Sequence, residues 1–195
     1  MSGITVGFAL TGSYCTFARV IPMVEELKNR YERVIPILSE HSAATDTRFG
    51  KAADHSAALE RICGVPPITS IAAAEPIGPK KLLDVLVIAP CTGNTLGKLA
   101  HGITDTCVTM AAKAHLRNGR PLVLAVSTND GLTTSLSNLG ILSCRRHVYL
   151  VPFQQDDPLH KPASLVADME QIPRTVKAAL RGEQLQPVVL GPRTI

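Results

Sequence analysis

Short, almost wholly apolar runs alternate along this chain with longer stretches whose apolar residues recur at helical spacing. "ITVGFAL" (4–10) has the pattern of a central parallel strand covered on both faces. "TFARVIPMVEELKNRY" (16–31) predicts a helix in which Pro22 marks a kink or a late start. "RVIPILS" (33–39) predicts a second strand. "DTRFGKAADHSAALERICG" (46–64) predicts a helix closed by Gly64, followed by the Pro-rich connection "PPITSIAAAEPIGPKK". "LLDVLVIAP" (82–90) and "RPLVLAVST" (120–128) are buried strands on either side of a helix over 103–119 with Gly119 just past its end. A short helix over 132–142, a final strand "RRHVYLVPF" (145–153) and a terminal helix over 162–182, interrupted near Pro173, complete the series. The tail "EQLQPVVLGPRTI" is expected to lie extended against the body or against a neighbour.

Strand and helix in alternation predict a three-layer α/β architecture with a parallel sheet, in one domain over 1–195 without internal repeats. In open parallel sheets, ligands bind outside the carboxyl ends of the strands. That rule selects four loops: "TGSYCTF" (11–17), "SEHSAATD" (39–46), "PCTGNT" (90–95) and "STNDGL" (127–132). All four are rich in Ser, Thr, Asn or Gly, and four polar loops on one sheet edge read as a site.

Composition narrows the ligand. The chain has 195 residues, 20 Lys and Arg against 16 Asp and Glu, and no basic run. Trp is absent and aromatics make up 4%, so neither phosphate tracking nor base stacking is provided for and nucleic acid is not expected as a partner. No stretch reaches the roughly 18 apolar residues of a membrane span, and "MSGITVGFAL" lacks the basic and apolar regions of a secretory signal. The 5 Cys form no C-x-x-C and the 6 His do not cluster, which argues against a disulfide framework and a metal site and for a reducing cytoplasm. A small molecule or an organic cofactor remains.

"GNTLGKL" is not a phosphate loop. Gly93 and Gly97 enclose three residues rather than four, and Leu99 rather than Ser or Thr follows Lys98. No G-x-G-x-x-G follows the first strand either; there, Gly12 permits a close backbone approach, and Ser13 suits a phosphate donor or an ordinary N-cap. In the third loop, Thr92 or Asn94 suits a helix cap. The Asn amide, which both donates and accepts, equally suits a flavin ring edge or a substrate carboxylate. Asn129-Asp130-Gly131 reads as a turn or as part of a site. His41 suits an acid–base group, a substrate anchor or a solvated loop residue. Cys91 and Cys144 have no sequence partner that would make them nucleophiles.

The motifs together resemble the homo-oligomeric flavin-containing cysteine decarboxylase family, whose fold is a Rossmann-like flavoprotein fold. That family carries P-A-S-A-N-T after its third main strand. In "PCTGNT", Pro90, Asn94 and Thr95 match it, while Cys91, Thr92 and Gly93 depart. "LGKLAHGITDTCVTMAAKA" looks like the helix region that follows. The family's P-x-M-N-x-x-M falls on "VSTNDGL", where Asn129 matches and Val126, Thr128 and Leu132 replace the Pro and both Met. Because that Met segment shapes the decarboxylase pocket, the departures point away from cysteine decarboxylation.

The combination with "ALTGSYCTF" and "SEHSAATDTRFG" is similar to a branch serving as one subunit of a two-subunit oxidoreductase. The resemblance implies action in the mother cell of sporulating bacteria, on a dihydropyridine dicarboxylate that is oxidised to pyridine-2,6-dicarboxylate. It implies FMN here, with its phosphate near Gly12, Ser13 and Ser39 and its ring near Thr92, Asn94, Ser127 and Asn129. Asn94 and His41 are the expected reacting-centre residues. NADP would enter through a dehydrogenase-like partner subunit, and the chain itself would form a homo-oligomer. Two alternatives stand beside this: a supporting subunit with no cofactor, and a flavin-dependent decarboxylase.

Overall fold

The computed structural model describes residues 3–191. Its sheet begins with β1 (Thr5–Leu10), which pairs in parallel with β2 (Arg33–Leu38) on one side and β3 (Val85–Cys91) on the other. β4 (Leu122–Thr128) continues the parallel sheet beyond β3. Val6, Phe8, Ala9, Leu10 and Val85–Ala89 are fully buried, as all-apolar strands covered on both faces must be.

Helices cover the two faces: α1 (Phe17–Arg30), the short α2 (Glu40–Ala44), α3 (Ala52–Cys63), α4 (Ile71–Ala74), α5 (Gly93–His101), α6 (Cys107–Leu116) and α7 (Leu136–Ser143). Pro22 sits inside α1. Gly64 and Gly119 end their helical segments at φ +74° and +68°, the left-handed conformation that lacks a Cβ penalty only for glycine.

The carboxyl-terminal third departs from the sequence expectation. "RRHVYLVPF" is not one strand. β5 (Val148–Leu150) pairs in parallel with the first half of β4 and stops, and the chain turns into β6 (Phe153–Asp157). Residues 161–167 are not helical. They form β7 (Lys161–Ala167), antiparallel to β6 and, through Ser127↔Val166 and Thr128↔Leu165, to the second half of β4.

The expected terminal helix is therefore only α8 (Ile172–Ala179), with Pro173 in its first turn, where a missing N–H costs nothing. The expected helix over 46–64 likewise begins only at Ala52, after a Thr47–Gly50 turn. The sheet order is β2-β1-β3-β4-β7-β6, with β5 also on β4. The tail runs extended against the body, with Phe153 N–H donating to Val188 O at 3.0 Å and Leu190 N–H to Phe153 O at 2.9 Å. Its last residues, 192–195, lie outside the described residues. No helix among the described residues is long and apolar enough to cross a membrane.

Chain direction across the sheet reverses between β1 and β3. β1 leads outward to β2, and β3 leads the other way to β4. The connections that leave their carboxyl ends therefore diverge and open a crevice.

Candidate functional site

The crevice is held open by polar groups that tie the strand ends together. The buried Thr11 hydroxyl donates to Pro90 O at 2.7 Å and accepts from Thr92 N–H at 3.2 Å, joining the end of β1 to the end of β3. Ser13 stands at the head of a 3-10 turn but does not cap it. Its hydroxyl meets that of Ser127, 114 residues away, at 2.9 Å. The Thr92 hydroxyl caps α5 by accepting from Thr95 N–H at 3.3 Å, the cap that the sequence allowed. Ser39 caps α2, accepting from Ser42 N–H at 3.2 Å while donating to the Ser42 hydroxyl at 2.8 Å.

The loop that carries His41 is fastened from both sides. Glu40 Oε1 accepts from Cys107 N–H at 2.7 Å, placing a carboxylate at the positive end of α6. Tyr14 donates its phenolic O–H to His41 O at 3.1 Å. On the far side, Asp130 accepts from the Thr128 hydroxyl and, at 2.9 Å, from the Ser135 hydroxyl, directly above Gly93.

Two concavities result, sharing Gly12, Tyr14 and Thr92 on their walls. The smaller, about 400 Å³, is lined by Ser39, His41, Thr45 and Asn94 among others. The larger, about 570 Å³, takes in Ser13, Arg19, Phe49, Ser127, Asn129, Lys161 and Leu165. Both volumes fall in the range of small-molecule and cofactor sites, roughly 300–1,000 Å³. The sequence-selected residues thus divide: Ser39, His41 and Asn94 on the smaller cavity, Ser13, Ser127 and Asn129 on the larger, and Gly12 and Thr92 on both.

This lining suits a flavin. A Cβ on Gly12 would meet nothing nearer than the Tyr14 ring at 3.7 Å, so the backbone there is open to a planar group. Hydroxyl, amide and backbone donors supply the polarity that a phosphate and a ring edge require. The residues present fit the group.

Lys98 pairs with Asp105 at 2.9 Å, and that contact holds the Asp105 carboxyl below its usual range. Cys91 is fully buried, and burial pushes its thiol far above the normal range. Cys144 is exposed; its neighbour Arg145 donates to Leu99 O at 3.1 Å and Ala100 O at 2.6 Å at the end of α5.

Sequence reasoning missed Thr11, Arg19, Phe49, Lys161 and Leu165. Thr11 and Arg19 stand in or beside a selected loop, and their side chains point to the site only once β1 and β3 are neighbours. Leu165 was hidden because β7 read as helix from residue 162, and Lys161 because it stood just outside every predicted element.

A family model described as Flavoprotein matches residues 1–158. The chain is 46% identical over 190 residues to the dipicolinate synthase subunit designated B of Bacillus subtilis, covering 97% of this chain and 95% of that protein. The crystal structure of the same dipicolinate synthase subunit from Bacillus halodurans is similar at a TM-score of 0.89 and 45% identity, over 97% of each chain. The Burkholderia xenovorans DmrB complex with FMN shares the fold at a TM-score of 0.67 and 20% identity, over 91% of this chain and 96% of that one. With a family match running from the first strand through the β6 strand, the chain belongs to the flavoprotein family.

Proposed function

We propose that the chain is the flavin-site subunit of a dipicolinate synthase, which oxidises dihydrodipicolinate to dipicolinate (pyridine-2,6-dicarboxylate). The observation that carries this reading is the end-to-end likeness, at 45–46% identity, to the dipicolinate synthase subunits of two Bacillus species. Its partner in this reading is the other, dehydrogenase-like subunit of dipicolinate synthase, which binds NADP, and its setting is the cytoplasm of the mother cell in a sporulating bacterium.

The oxidation removes a hydride and a proton from the ring. Bound FMN would supply a two-electron acceptor. The protein's part is to hold the ring in place and exclude competing reactions. Gly12, Ser13 and Ser39 are assigned to the cofactor's phosphate side and Thr92, Asn94, Ser127 and Asn129 to its ring side, with Ser13 and Ser127, whose hydroxyls meet at 2.9 Å, where the two sides adjoin. Asn94 and His41, on the smaller cavity, are assigned to the reacting centre where the two cavities meet at Gly12, Tyr14 and Thr92, Asn94 to orient the reacting ring and His41 to receive its proton.

One observation favours the supporting subunit without a cofactor. The Ser39 and Thr92 hydroxyls are already bonded within their own loops, to Ser42 and Thr95. The decarboxylase reading loses ground because Thr128 and Leu132 stand where that family has Met. A homo-oligomer is favoured by α7, an apolar segment whose Leu136 and Ile141 are 48% and 42% exposed.

The test is the visible absorption spectrum of the purified chain before and after adding FMN, with released ligand identified by mass, followed by turnover with the dehydrogenase-like partner. A bound-flavin spectrum and dipicolinate formation are expected. Absence of flavin even with that partner present would move the redox step to the partner. Carbon dioxide release would identify a decarboxylase.

A further inference from the structure

The larger cavity carries two cations that the flavin assignment leaves unused. Arg19 projects from α1 and lines the wall beside Ser13 and Thr16. Among the described residues its guanidinium makes no hydrogen bond, only a 3.8 Å approach to Asp168. Lys161 enters from the first residue of β7, on a different layer of the molecule. Its ammonium donates to Asp156 at 3.0 Å, which leaves two of its three N–H donors for a ligand. Asp156 also lines the cavity and is the anionic group that a bound carboxylate would have to tolerate. Phe49, Leu165 and Val166 add apolar surface to the same walls. A small planar ring bearing anionic substituents meets both kinds of surface.

We propose that Arg19 and Lys161 are the two carboxylate anchors of this cavity and that together they make it select dicarboxylates over monocarboxylates. The assignment rests on the functional reading above and deepens it. The guanidinium is always charged and offers a planar fork that matches one carboxylate with two parallel hydrogen bonds. The ammonium serves the other as a compact charge. The anchors come from α1 and β7, and β7 is set in place by its pairing with β4 and β6. The selectivity therefore depends on the hairpin being paired to β4, not on any local motif.

The experiment is calorimetric titration of the full chain with pyridine-2,6-dicarboxylate and with pyridine-2-carboxylate, repeated on Arg19→Gln and Lys161→Gln. The wild-type chain is expected to prefer the dicarboxylate by roughly 10- to 100-fold, the contribution of one charge-assisted hydrogen-bonded contact. Each variant is expected to melt like the wild type and to bind the dicarboxylate no better than the wild type binds the monocarboxylate. Arg19→Lys should restore part of the preference, which a purely structural role would not do. Undiminished preference in both variants overturns the anchors and leaves the functional reading standing. Failure of the wild-type chain to bind either acid, with or without FMN and the dehydrogenase-like partner, overturns both.

Discussion

Gly93 lies so close beneath Asp130 that a Cβ on the glycine would stand 2.7 Å from the carboxylate oxygen Oδ1. The Thr128 and Ser135 hydroxyl oxygens, both donating to that same Oδ1, would also be 2.7 Å away. The cysteine decarboxylase motif that this stretch resembles has Ala at this position, and the second such motif has Met where Thr128 stands. The two departures form one structural unit: the glycine makes room for the hydroxyl–carboxylate cluster that replaces the Met segment. Gly93→Ala should cost about 1–3 kcal/mol, the usual penalty of overpacking a closely packed site. Urea unfolding tests it; an unchanged midpoint would mean that the three oxygens move aside freely.

Thr11 is expected to matter through its hydroxyl alone. Thr11→Val keeps the shape but removes the partner of Pro90 O, which is buried, and of Thr92 N–H, which is partly buried, at about 1–3 kcal/mol in sum. Thr11→Ser should keep most of the stability. Chemical denaturation of the two variants side by side distinguishes hydroxyl from volume, and equal losses would refute the hydrogen-bond account.

Asn94→Asp replaces a group that donates and accepts by one that only accepts, and adds a negative charge to the smaller cavity. FMN affinity should fall about tenfold or more, as for loss of a hydrogen bond compounded by charge. Flavin fluorescence titration measures it. Unchanged affinity and turnover would remove Asn94 from the site.

His115 sets an acid limit on stability. Burial pushes its imidazole down from 6.5 to about 4, partly opposed by Pro121 O, which accepts the Nε2–H at 2.9 Å. Between pH 6.5 and 4 the unfolded chain binds a proton that the folded chain does not. Stability therefore falls as pH drops through that window, by about 3 kcal/mol in all. His115→Gln should be less stable at pH 7 but should lose this part of the slope. Unfolding free energies of both proteins from about pH 7 to 4.5 check it; parallel curves would assign the acid sensitivity to other groups.

Leu136→Glu should lower the assembly state. Leu139 and Leu142 pack α7 inward while Leu136 faces out, so a charge at 136 leaves the core alone and opposes burial against a second copy. Sedimentation velocity reads the result; an unchanged species would place the oligomer contact elsewhere.

Much of the fold was legible because its signals are local. Runs such as 85–91 and 122–126 are apolar at every position, which only a strand buried on both faces requires. Gly64 and Gly119 mark helix ends by their own conformation. The four polar loops could be chosen because a parallel sheet puts every strand's carboxyl end on one edge, and Gly12 and Thr92 indeed line both cavities. The hairpin was not legible. β6 carries the polar sequence "FQQDD", and β7 contains only one short apolar group, at 165–167. Neither has the alternation that would distinguish a strand from the helix that follows.

By itself, then, the sequence determined the parallel core, the helix ends and the edge on which a ligand would bind, since each follows from a residue's own conformational preference or from a run of neighbours. Only the tertiary structure decided that 161–167 is a strand. β5 covers just the first half of β4, so the backbone of Ser127 and Thr128 needs another partner, and Val166 and Leu165 provide it. That pairing across almost forty residues brings Lys161 and Leu165 into the walls of the cavity that Arg19 also lines, and no local pattern records it, because the hydrogen-bonding demand that creates it belongs to a strand elsewhere in the chain.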